Sequence, residues 1–383
     1  MINDIDIKMK ILALEPYYGG SHRAFLDSWM RRSKHEWDLL SLPANKWKWR
    51  MRAAAIEFAD VVKQRLNKGR TWDVIFCSDM LNLAEFLGLA GPDLRQVPSI
   101  VYFHENQLTY PSRFEQERDN HFAMTNMTTG LAAENVWFNS AFHRDDFLSA
   151  LKAFLKRMPD HRPLDALESL REKSRVYPQG ITSFAVRGKR PAGPVRIVWA
   201  ARWEHDKNPE TFFSALERVK ESHTDFRLSV IGEQYKDAPK VFTWAREFFS
   251  GHIDRWGYQE NRDAYAAALK DADIVVSTAN HEFFGISIVE AIAAGAYPVL
   301  PKRLSYPEIV SDIETEAEDE FFYDGSAKDL AEKIISLADM TQEGKLWGTD
   351  SLRGVRGVKR FTWEKLIPVL DEALGATVEA AHG

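Results

Sequence analysis

The stretch ADIVVSTANHEFFGISIVEAIAAGAYPVL, residues 272–300, decides the fold of this chain. Its apolar run DIVVST predicts a buried strand, which is followed by a short loop, Gly285 and a pattern typical of a helix. Another apolar run, YPVLP, comes next, so that a strand, a helix and a strand follow one another. This succession is typical of a parallel sheet whose strands are connected by helices. The start of such a helix presents backbone N–H groups and the positive end of a dipole, which together suit a phosphate group.

The same alternation extends over almost the whole chain. Further runs that predict strands are KILALE, WDLLSL, DVIFC, SIVYF and NVWFN in the first half, and VRIVWA, FRLSVIG and EFFY in the second. Helical patterns lie between them, as in SHRAFLDSWMRR, AAAIEFADVVKQRL and MLNLAEFLGLA. Strands that are apolar throughout are expected when helices cover both faces of a sheet. The sequence therefore predicts an α/β chain with doubly wound parallel sheets.

The segment 151–194 interrupts this alternation and divides the chain. It contains charged helical patterns, then VYPQG, then VRGKRPAGP, which has the Gly, Pro and basic composition of a linker. We therefore expect two Rossmann-like domains, residues 1–185 and 190–360. Residues 361–376 follow as an amphipathic helix whose apolar stripe is formed by Trp363, Leu366, Ile367 and Leu370.

The composition favours a protein that is neither secreted nor embedded in a membrane. The 383 residues carry a formal net charge of −6 and a single cysteine, Cys77. One cysteine excludes a disulfide within the chain, and the lack of cysteine pairs excludes a zinc–thiolate site. No stretch approaches the roughly 18 apolar residues of a membrane span, and the N-terminus lacks the pattern of a signal peptide. We therefore expect a cytoplasmic protein without stable membrane association.

Charged residues follow two predicted strands of the second half. Glu282 lies in the loop before Gly285 and can hold sugar hydroxyls, whereas Glu290, about two turns into the helix, can reach the hydroxyls of a ribose. Arg202 and Lys207 follow the strand VRIVWA, and two cations at a strand end can neutralise a diphosphate. Taken separately, exposed side chains and an ordinary glycine turn would explain the same residues.

Asp271-Ala272-Asp273 spells D-x-D, a pattern with which some enzymes hold a divalent cation. Here it lies at a junction between a helix and a strand, before the apolar run IVVST rather than after it. We therefore interpret Asp271 as facing solvent and Asp273 as starting the strand, and we expect no required metal.

In order and spacing, Arg202, Lys207, Glu282 and Glu290 resemble the donor half of the retaining GT-B glycosyltransferases of family 4. Residues 272–300 are similar to that family's pattern over nearly their full length. VYPQGI resembles the segment before the family's linker, and RFTWEKL resembles its terminal helix, which crosses back to the first domain. The resemblance implies the GT-B fold, two Rossmann-like doubly wound domains that face each other across a cleft.

The resemblance also implies a retaining hexosyltransferase and roles for named residues. Arg202 and Lys207 would hold the donor diphosphate, Glu282 would orient the sugar, and His104 would contact it. Further residues expected at the donor are Gly19, Gly20, Gly232, Tyr258, Phe283, Phe284, Gly285, Ile286 and Glu290. The departing phosphate oxygen would take the proton of the acceptor.

An aromatic side chain is expected to stack on the donor base. Tyr258 and Trp256 are the two candidates in the stretch RWGY, and either can instead be a core aromatic.

Three segments of the first half, EPYYGGSHRAF, SLPANKWKWRMR and VYFHENQLTYP, resemble one branch of this family. That branch transfers mannose from GDP-mannose to the cyclopentenediol of queuosine in the anticodon loop of tRNA(Asp). The resemblance implies GDP-mannose and queuosine-containing tRNA(Asp) as partners, and we expect a monomer or a weak dimer. The residues expected at the acceptor or the RNA are His22, Lys46, Lys48, Arg50, Glu105, Asn106 and Gln107.

Two short segments allow a second interpretation. In KWKWRMR, cations and tryptophans suit RNA phosphates and bases, but Trp47 and Trp49 can equally pack on the sheet beside solvated cations. In GGSH, Ser21 is expected to cap the following helix, and His22 either to cap it or to contact a substrate.

Two other functions stay open at this stage. A family 4 transferase that acts on a lipid or polysaccharide would need a basic amphipathic membrane-facing helix, for which KWKWRMRAAAIEF is the nearest candidate. A non-catalytic module that binds a nucleotide or RNA is disfavoured because Arg202, Lys207, Glu282 and Glu290 are all present.

Overall fold

The computed structural model describes residues 8–111, 119–188, 193–235, 237–315 and 317–382. The chain divides into two compact units. Unit 1 comprises Met1–Gly180 and Trp363–Gly383, and unit 2 comprises Ile181–Thr362. The boundaries expected from the sequence, at residues 185, 190 and 360, lie close to these. Part of the expected linker, residues 189–192, lies outside the described residues.

Unit 1 is built on a six-stranded parallel sheet with the strand order β2-β1-β3-β4-β5-β6. Its strands are β1 (Lys10–Tyr18), β2 (Glu36–Pro43), β3 (Val74–Ser78), β4 (Ser99–Phe103), β5 (Asn135–Phe138) and β6 (Ser174–Val176). The helices between them are α1 (Gly20–Met30), α2 (Trp47–Leu66), α3 (Leu83–Ala90), α4 (Asn120–Ala132), α5 (Ala141–Lys156) and α6 (Asp165–Glu172).

Unit 2 repeats this plan with the strand order β12-β11-β10-β7-β8-β9, again all parallel. Its strands are β7 (Val195–Ala200), β8 (Phe226–Ile231), β9 (Ile253–Gly257), β10 (Ile274–Val276), β11 (Tyr297–Pro301) and β12 (Phe322–Tyr323). Its helices are α7 (Pro209–Glu221), α8 (Val241–Phe248), α9 (Arg262–Asp271), α10 (Ile286–Ala293), α11 (Tyr306–Val310), α12 (Ala327–Gln342) and α13 (Arg353–Gly357).

The last helix, α14 (Trp363–His382), completes unit 1. Its predicted stripe of Trp363, Leu366, Ile367 and Leu370 is buried in one cluster with Phe25 and Trp29 of α1. The indole N–H of Trp29 donates to Asp371 at 2.8 Å. The other face of the sheet packs on α2, α3 and α5, so that neighbouring strand residues such as Phe76 and Cys77 enter opposite clusters. Covered faces on both sides explain why these strands are apolar throughout.

The sequence prediction missed two strands, β6 and β9, and it ended β1 too early. Both missed strands lie at the edge of their sheet, where the described residues provide a neighbouring strand on one side only. Their sequences, SRV and IDRWG, carry charged residues that an edge position tolerates. Strand β1 continues through EPYY to Tyr18, with a register shift between Glu15 and Tyr18. The doubly wound α/β architecture predicted for both halves is confirmed.

In the described part of the chain, none of the helices has the length and apolar character needed to cross a bilayer.

Candidate functional site

The loops that follow β7 and β10 lie side by side in unit 2. The backbone N–H of Asn280 donates to the carbonyl of Asp206 at 2.7 Å and joins the two loops. From the first loop, Lys207 extends its ammonium to the carbonyl of His281 at 2.7 Å. The same Nζ lies 3.0 Å from the Asp206 carboxylate and 3.3 Å from Glu282 Oε2. The structure therefore brings Lys207 and Glu282 together, as the sequence pattern predicted.

Both groups of this pair are charged at neutral pH. Burial disfavours the ammonium of Lys207, but the carboxylates of Glu282 and Asp206 outweigh it and raise the pKa of Lys207. Burial likewise disfavours the charged form of Glu282, but Lys207 and Arg202 outweigh it and hold the pKa of Glu282 below its usual range. Arg202 itself lies on the loop after β7, where it pairs with Glu204 at 3.2 Å.

Helix α10 begins beside this pair, at Gly285. This glycine has a φ of +87°, and a Cβ atom there would lie 3.1 Å from Ile309 Cδ1 and 3.2 Å from Tyr306 Cε1. Phe283 and Phe284 turn their side chains into the core, so only their backbone is placed to meet a ligand. The first N–H groups of a helix have no partner within the helix. This turn, continued by half-buried Ile286, therefore suits an anion, as expected.

Glu290, on the next turns of α10, is held by two residues that sequence reasoning missed. Its Oε2 accepts from the Tyr265 hydroxyl at 2.8 Å, and its Oε1 accepts from Arg262 at 3.2 Å. Burial raises the pKa of Glu290, and Arg262 opposes that rise. Tyr265 and Arg262 lie on α9, whose sequence RDAYAAALKD contains no signal that marks them as functional.

The residues expected near the donor base are placed in different ways. Gly232 directly follows β8 and lies close to Ala201, which directly follows β7. A Cβ atom on Gly232 would lie 1.8 Å from the carbonyl oxygen of Ala201. Trp256 packs against Trp203, with ring centroids 5.3 Å apart, and is a core aromatic. Tyr258 is 69% exposed. Of the two aromatic candidates, only Tyr258 is therefore available to stack on a base.

The two aspartates of the D-x-D pattern lie before β10, at the edge opposite the loops that carry Lys207 and Glu282. Asp271 pairs with Arg255 at 2.6 Å. Asp273 pairs with Arg187 and accepts the backbone N–H of Arg196 at 2.8 Å. Each carboxylate thus already faces an arginine, which fits their interpretation as structural residues.

In unit 1, His104 directly follows β4, and its ring packs against that of His22 with an angle of 31° between the ring planes and ring centroids 4.1 Å apart. Both imidazoles are buried. His22 Nδ1 lies 3.1 Å from Glu15 Oε2, and Gln179 Nε2 lies 3.0 Å from His104 Nδ1. Asp79 accepts the backbone N–H of His104 at 2.9 Å. The structure therefore brings the two predicted histidines together in one buried polar cluster.

Glu15 and Asp79, both fully buried, were missed by sequence reasoning. Glu15 interrupts the apolar run of β1, and Asp79 directly follows β3, so their only signal is an acidic residue beside a buried strand. The Glu15 carboxylate also accepts from the Ser78 hydroxyl at 2.9 Å and from the Tyr17 N–H at 2.8 Å. These hydrogen bonds hold the Glu15 carboxylate in contact with His22.

The residues after His104 are partly structural. The Asn106 side chain is fully buried and accepts the N–H groups of Leu108 and Thr109, each at 3.0 Å. Its side chain thus closes a turn, and its expected contact with the acceptor stays a prediction. The amide of Gln107 donates to Glu105 at 3.1 Å. Glu105 is half-buried beside the histidine cluster and stays a candidate for the acceptor.

The paired glycines before α1 have packing and backbone reasons of their own. A Cβ atom on Gly19 would lie 2.4 Å from that of Ala44, and Gly20 has a φ of +51°. Helix α1 begins at Gly20 with Gly19 as its N-cap and no side-chain cap. The expected cap at Ser21 is therefore wrong, and the side chain of His22 turns to Glu15 instead.

Some residues of the basic run KWKWRMR pack against the protein, whereas others face solvent and are available for RNA. Trp47 packs against Phe122, with ring centroids 5.2 Å apart. Arg50 donates to the carbonyl of Pro43 and to Asn45, each at 3.2 Å, and so holds the start of α2. Lys46 and Lys48 are exposed, and Trp49, which follows Lys48, is 61% exposed. Arg52 is exposed as well and pairs with Asp119, so four residues of the run face solvent.

Solved structures of the same fold are similar over almost the whole chain. HepE of Anabaena, crystallised with UDP, is 15% identical with a TM-score of 0.67, over 96% of this chain and 100% of that one. Sucrose-phosphate synthase from Thermosynechococcus elongatus is 16% identical with a TM-score of 0.68, over 97% and 100%. Residues 183–348 match the family model of group 1 glycosyl transferases. The chain is therefore a GT-B glycosyltransferase, as the resemblance implied.

The first half of the chain identifies a family within the GT-B glycosyltransferases. Residues 10–181 match the family model described as tRNA-queuosine alpha-mannosyltransferase N-terminal. The chain is 37% identical to the tRNA-queuosine alpha-mannosyltransferase of Drosophila melanogaster over 314 residues, 79% of this chain and 82% of that protein. It belongs to the tRNA-queuosine alpha-mannosyltransferase family. A GDP-mannose-dependent phosphatidylinositol dimannoside mannosyltransferase of Mycobacterium tuberculosis is 25% identical over 36% of this chain and 37% of that protein.

Proposed function

We propose that this chain transfers mannose from GDP-mannose to the cyclopentenediol of queuosine in tRNA(Asp), with retention of the anomeric configuration. The observation that carries the proposal is its 37% identity to the Drosophila tRNA-queuosine alpha-mannosyltransferase, over most of both chains. The match of residues 10–181 to the N-terminal model of that family supports the acceptor. The similarity to a GDP-mannose-dependent enzyme supports the donor.

The donor diphosphate binds to Arg202, Lys207 and the start of α10 in this proposal. Glu282 orients the mannose and Glu290 binds the ribose. Support comes from the 3.3 Å contact of Lys207 with Glu282 and from the burial of both Lys207 and Glu290. Exposed Tyr258 stacks on guanine, close to Gly232.

Catalysis rests on charge stabilisation in this proposal. When the bond between mannose C1 and the diphosphate oxygen breaks, negative charge develops on that oxygen. Arg202, Lys207 and the N–H groups at the start of α10 stabilise this charge, and losing one such contact costs on the order of 3 kcal/mol in barrier. The acceptor hydroxyl attacks C1 from the same face, and the departing oxygen takes its proton. His104 contacts the mannose.

The tRNA contacts the exposed patch of Lys46, Lys48 and Trp49 at the start of α2. Two ammonium groups suit backbone phosphates, and an exposed indole suits stacking on an unpaired base. Glu105 lies near the acceptor diol in this proposal, whereas the buried ring of His22 faces Glu15. We further propose that the protein acts in the cytoplasm as a monomer or weak dimer. We propose that it needs no metal, since Asp271 and Asp273 each pair with an arginine.

Mass spectrometry of nucleosides tests the function directly. Purified protein is incubated with queuosine-containing tRNA(Asp) and with GDP-mannose, GDP-glucose, UDP-glucose or UDP-galactose in turn. We expect queuosine to gain one hexose with GDP-mannose alone. The same tRNA carrying guanosine in place of queuosine is the matched control and should gain nothing. Hexose gain from a UDP-sugar would contradict the donor, and no transfer from any donor would contradict the function.

A further inference from the structure

The buried cluster of unit 1 contains more ionisable groups than the contact of one histidine with a sugar requires. Glu15 and Asp79 are fully buried, and His22 and His104 are nearly so. Glu15 ends the regular part of β1, Asp79 follows β3 and His104 follows β4, so all three lie at the carboxyl edge of the sheet. Burying a charge is costly unless an opposite charge compensates it. The protonation state of each of these four side chains therefore depends on those of the others.

The contacts place a positive charge on His22. Its Nδ1 lies 3.1 Å from Glu15 Oε2, and the carboxylates of Asp79 and Glu105 face it as well. Burial opposes the imidazolium, but these three carboxylates outweigh it and raise the pKa of His22 to about 9. Burial raises the pKa of Asp79 well above its usual range, and the imidazolium of His22 opposes that rise. The Oδ2 atom of Asp79 has no hydrogen-bond partner among the described residues.

The same contacts keep His104 neutral. The centroid of its ring lies 4.1 Å from that of His22, and a second positive charge at this distance would be repelled. Burial, His22 and His143 all lower the pKa of His104. Gln179 Nε2, at 3.0 Å, donates to His104 Nδ1, and the remaining proton of a neutral ring is then on Nε2.

We propose that Glu15, His22 and Asp79 are positioning residues that act through His104: the carboxylates hold His22 as an imidazolium, and the imidazolium keeps His104 a neutral Nε2–H donor. This inference rests on the proposed function, in which His104 contacts the transferred mannose. A donor that keeps its charge and its tautomer across neutral pH offers one fixed hydrogen bond to a sugar hydroxyl.

Removal of His22 should make the reaction sensitive to acid. In a His22→Gln variant, Glu15 has lost its cation and Asp79 is harder to ionise, while His104 is free of the imidazolium that lowers its pKa and takes up a proton more readily. We expect kcat/KM of the wild type to change little between pH 6 and 8. We expect that of His22→Gln to fall below the new pKa of His104, because a proton on Nδ1 breaks the hydrogen bond from Gln179 that orients the ring, and to approach the wild type toward pH 9.

His35→Gln is the matched control, because His35 is also a buried histidine of unit 1 and belongs to none of the contacts above. Its pH profile should keep the shape of the wild type. A His22→Gln enzyme that is less active by the same factor at every pH would overturn the proposal, because loss of folded protein has that signature.

Nitrogen NMR of the histidine rings tests the protonation states without any substrate. His22→Gln and His104→Gln assign the signals. We expect an imidazolium signal for His22 up to about pH 9 and a neutral Nε2–H signal for His104 throughout. In Glu15→Gln the midpoint of His22 should fall by at least one pH unit, and Glu15→Asp should restore part of it.

Three outcomes would overturn the proposal: a neutral His22 at pH 7, a protonated His104 at pH 7, or a bound metal. A bound metal is an alternative to this distribution of charge, since ligand atoms of Glu15, His22 and His104 all lie within 4.8 Å of one another. One zinc per chain by elemental analysis, lost in His22→Gln, would establish it. Should the wild type transfer no mannose, the proposed function fails, and the NMR result still decides the protonation states.

Discussion

Lys207 and Glu282 are 75 residues apart in the sequence, and their charged atoms lie 3.3 Å apart in the structure. The ammonium is also 3.0 Å from Asp206 and 2.7 Å from the carbonyl of His281. The site is therefore preorganised before any donor binds, since the lysine is already ordered by its neighbours. Preorganised charge is the form of electrostatic stabilisation that lowers a barrier most, because nothing has to reorient during the reaction.

Replacing either member of this pair should reduce both stability and activity. In Lys207→Met we expect a loss of about 2 kcal/mol in the free energy of unfolding, because the variant leaves Glu282 without the ammonium beside it. Glu282→Gln should cost less, because Lys207 keeps the Asp206 carboxylate at 3.0 Å. The double variant should lose less than the sum, by about 1 kcal/mol. Urea unfolding measures this cycle. The kcat of Lys207→Met should fall about 100-fold. Strict additivity would contradict the coupling.

Tyr265→Phe should weaken donor binding with little effect on the chemical step. The hydroxyl of Tyr265 holds Glu290 at 2.8 Å, and the variant removes only that hydrogen bond. A bond to a charged group contributes about 2 kcal/mol, so KM for GDP-mannose should rise roughly 10- to 30-fold. Steady-state kinetics with varied donor and saturating tRNA measure it. Tyr235→Phe, in the same unit but bonded to Glu233, is the control.

Gly232→Ala should strongly destabilise unit 2. The added methyl group would lie 1.8 Å from the Ala201 carbonyl oxygen, and the backbone φ of +153° adds strain. We expect a loss of about 3 kcal/mol or more in the free energy of unfolding, seen as a lower midpoint in thermal denaturation. Gly251→Ala is the control, because its Cβ atom would meet nothing within 4 Å. Equal midpoints for the two variants would show that β7 and β8 are not so close.

Replacing the exposed patch of α2 should weaken tRNA binding without unfolding the protein. Lys46→Ala and Lys48→Ala should each lower affinity and reduce the slope of log K against log salt by about one. Trp49→Ala should cost about 1–3 kcal/mol in binding if its indole stacks on a base. Filter binding over a salt series measures both effects. Lys328→Ala, an exposed lysine of unit 2 paired with Glu332, is the control and should change neither quantity.

The D-x-D aspartates should matter for stability and not for metal dependence. Asp273→Asn leaves Arg187 without its partner, whereas Asp271→Asn breaks a pair that is more exposed. We expect the first to lower the thermal midpoint more than the second. Transfer by the wild type should persist in EDTA, and added manganese should not increase it in either variant. Activity lost in EDTA and restored by manganese would refute the absence of a required metal.

The alternation of apolar runs and helical patterns was sufficient to predict both sheets, because strands buried on two faces leave a strong signal. The strands that it missed, β6 and β9, lie at sheet edges, where half of that signal is absent. Motif spacing predicted that Lys207 and Glu282 lie together, and their charged atoms are 3.3 Å apart; the role of Glu290 at the same site stays a prediction. Tyr265, Arg262, Glu15 and Asp79 could not be found in this way. Each acquires its role only from a partner that folding brings near, and a single sequence does not encode that contact as a local pattern.

Helix α14 has a consequence for how the chain is made. A ribosome completes every strand of unit 1 before it begins unit 2, yet Asp371, the hydrogen-bond partner of Trp29, is synthesised only after unit 2. Until then the apolar face around Phe25, Leu26 and Trp29 lacks the helix that covers it. An N-terminal half expressed alone should therefore aggregate. A stop codon that removes residues after 362 should damage the first unit to be translated and not the last.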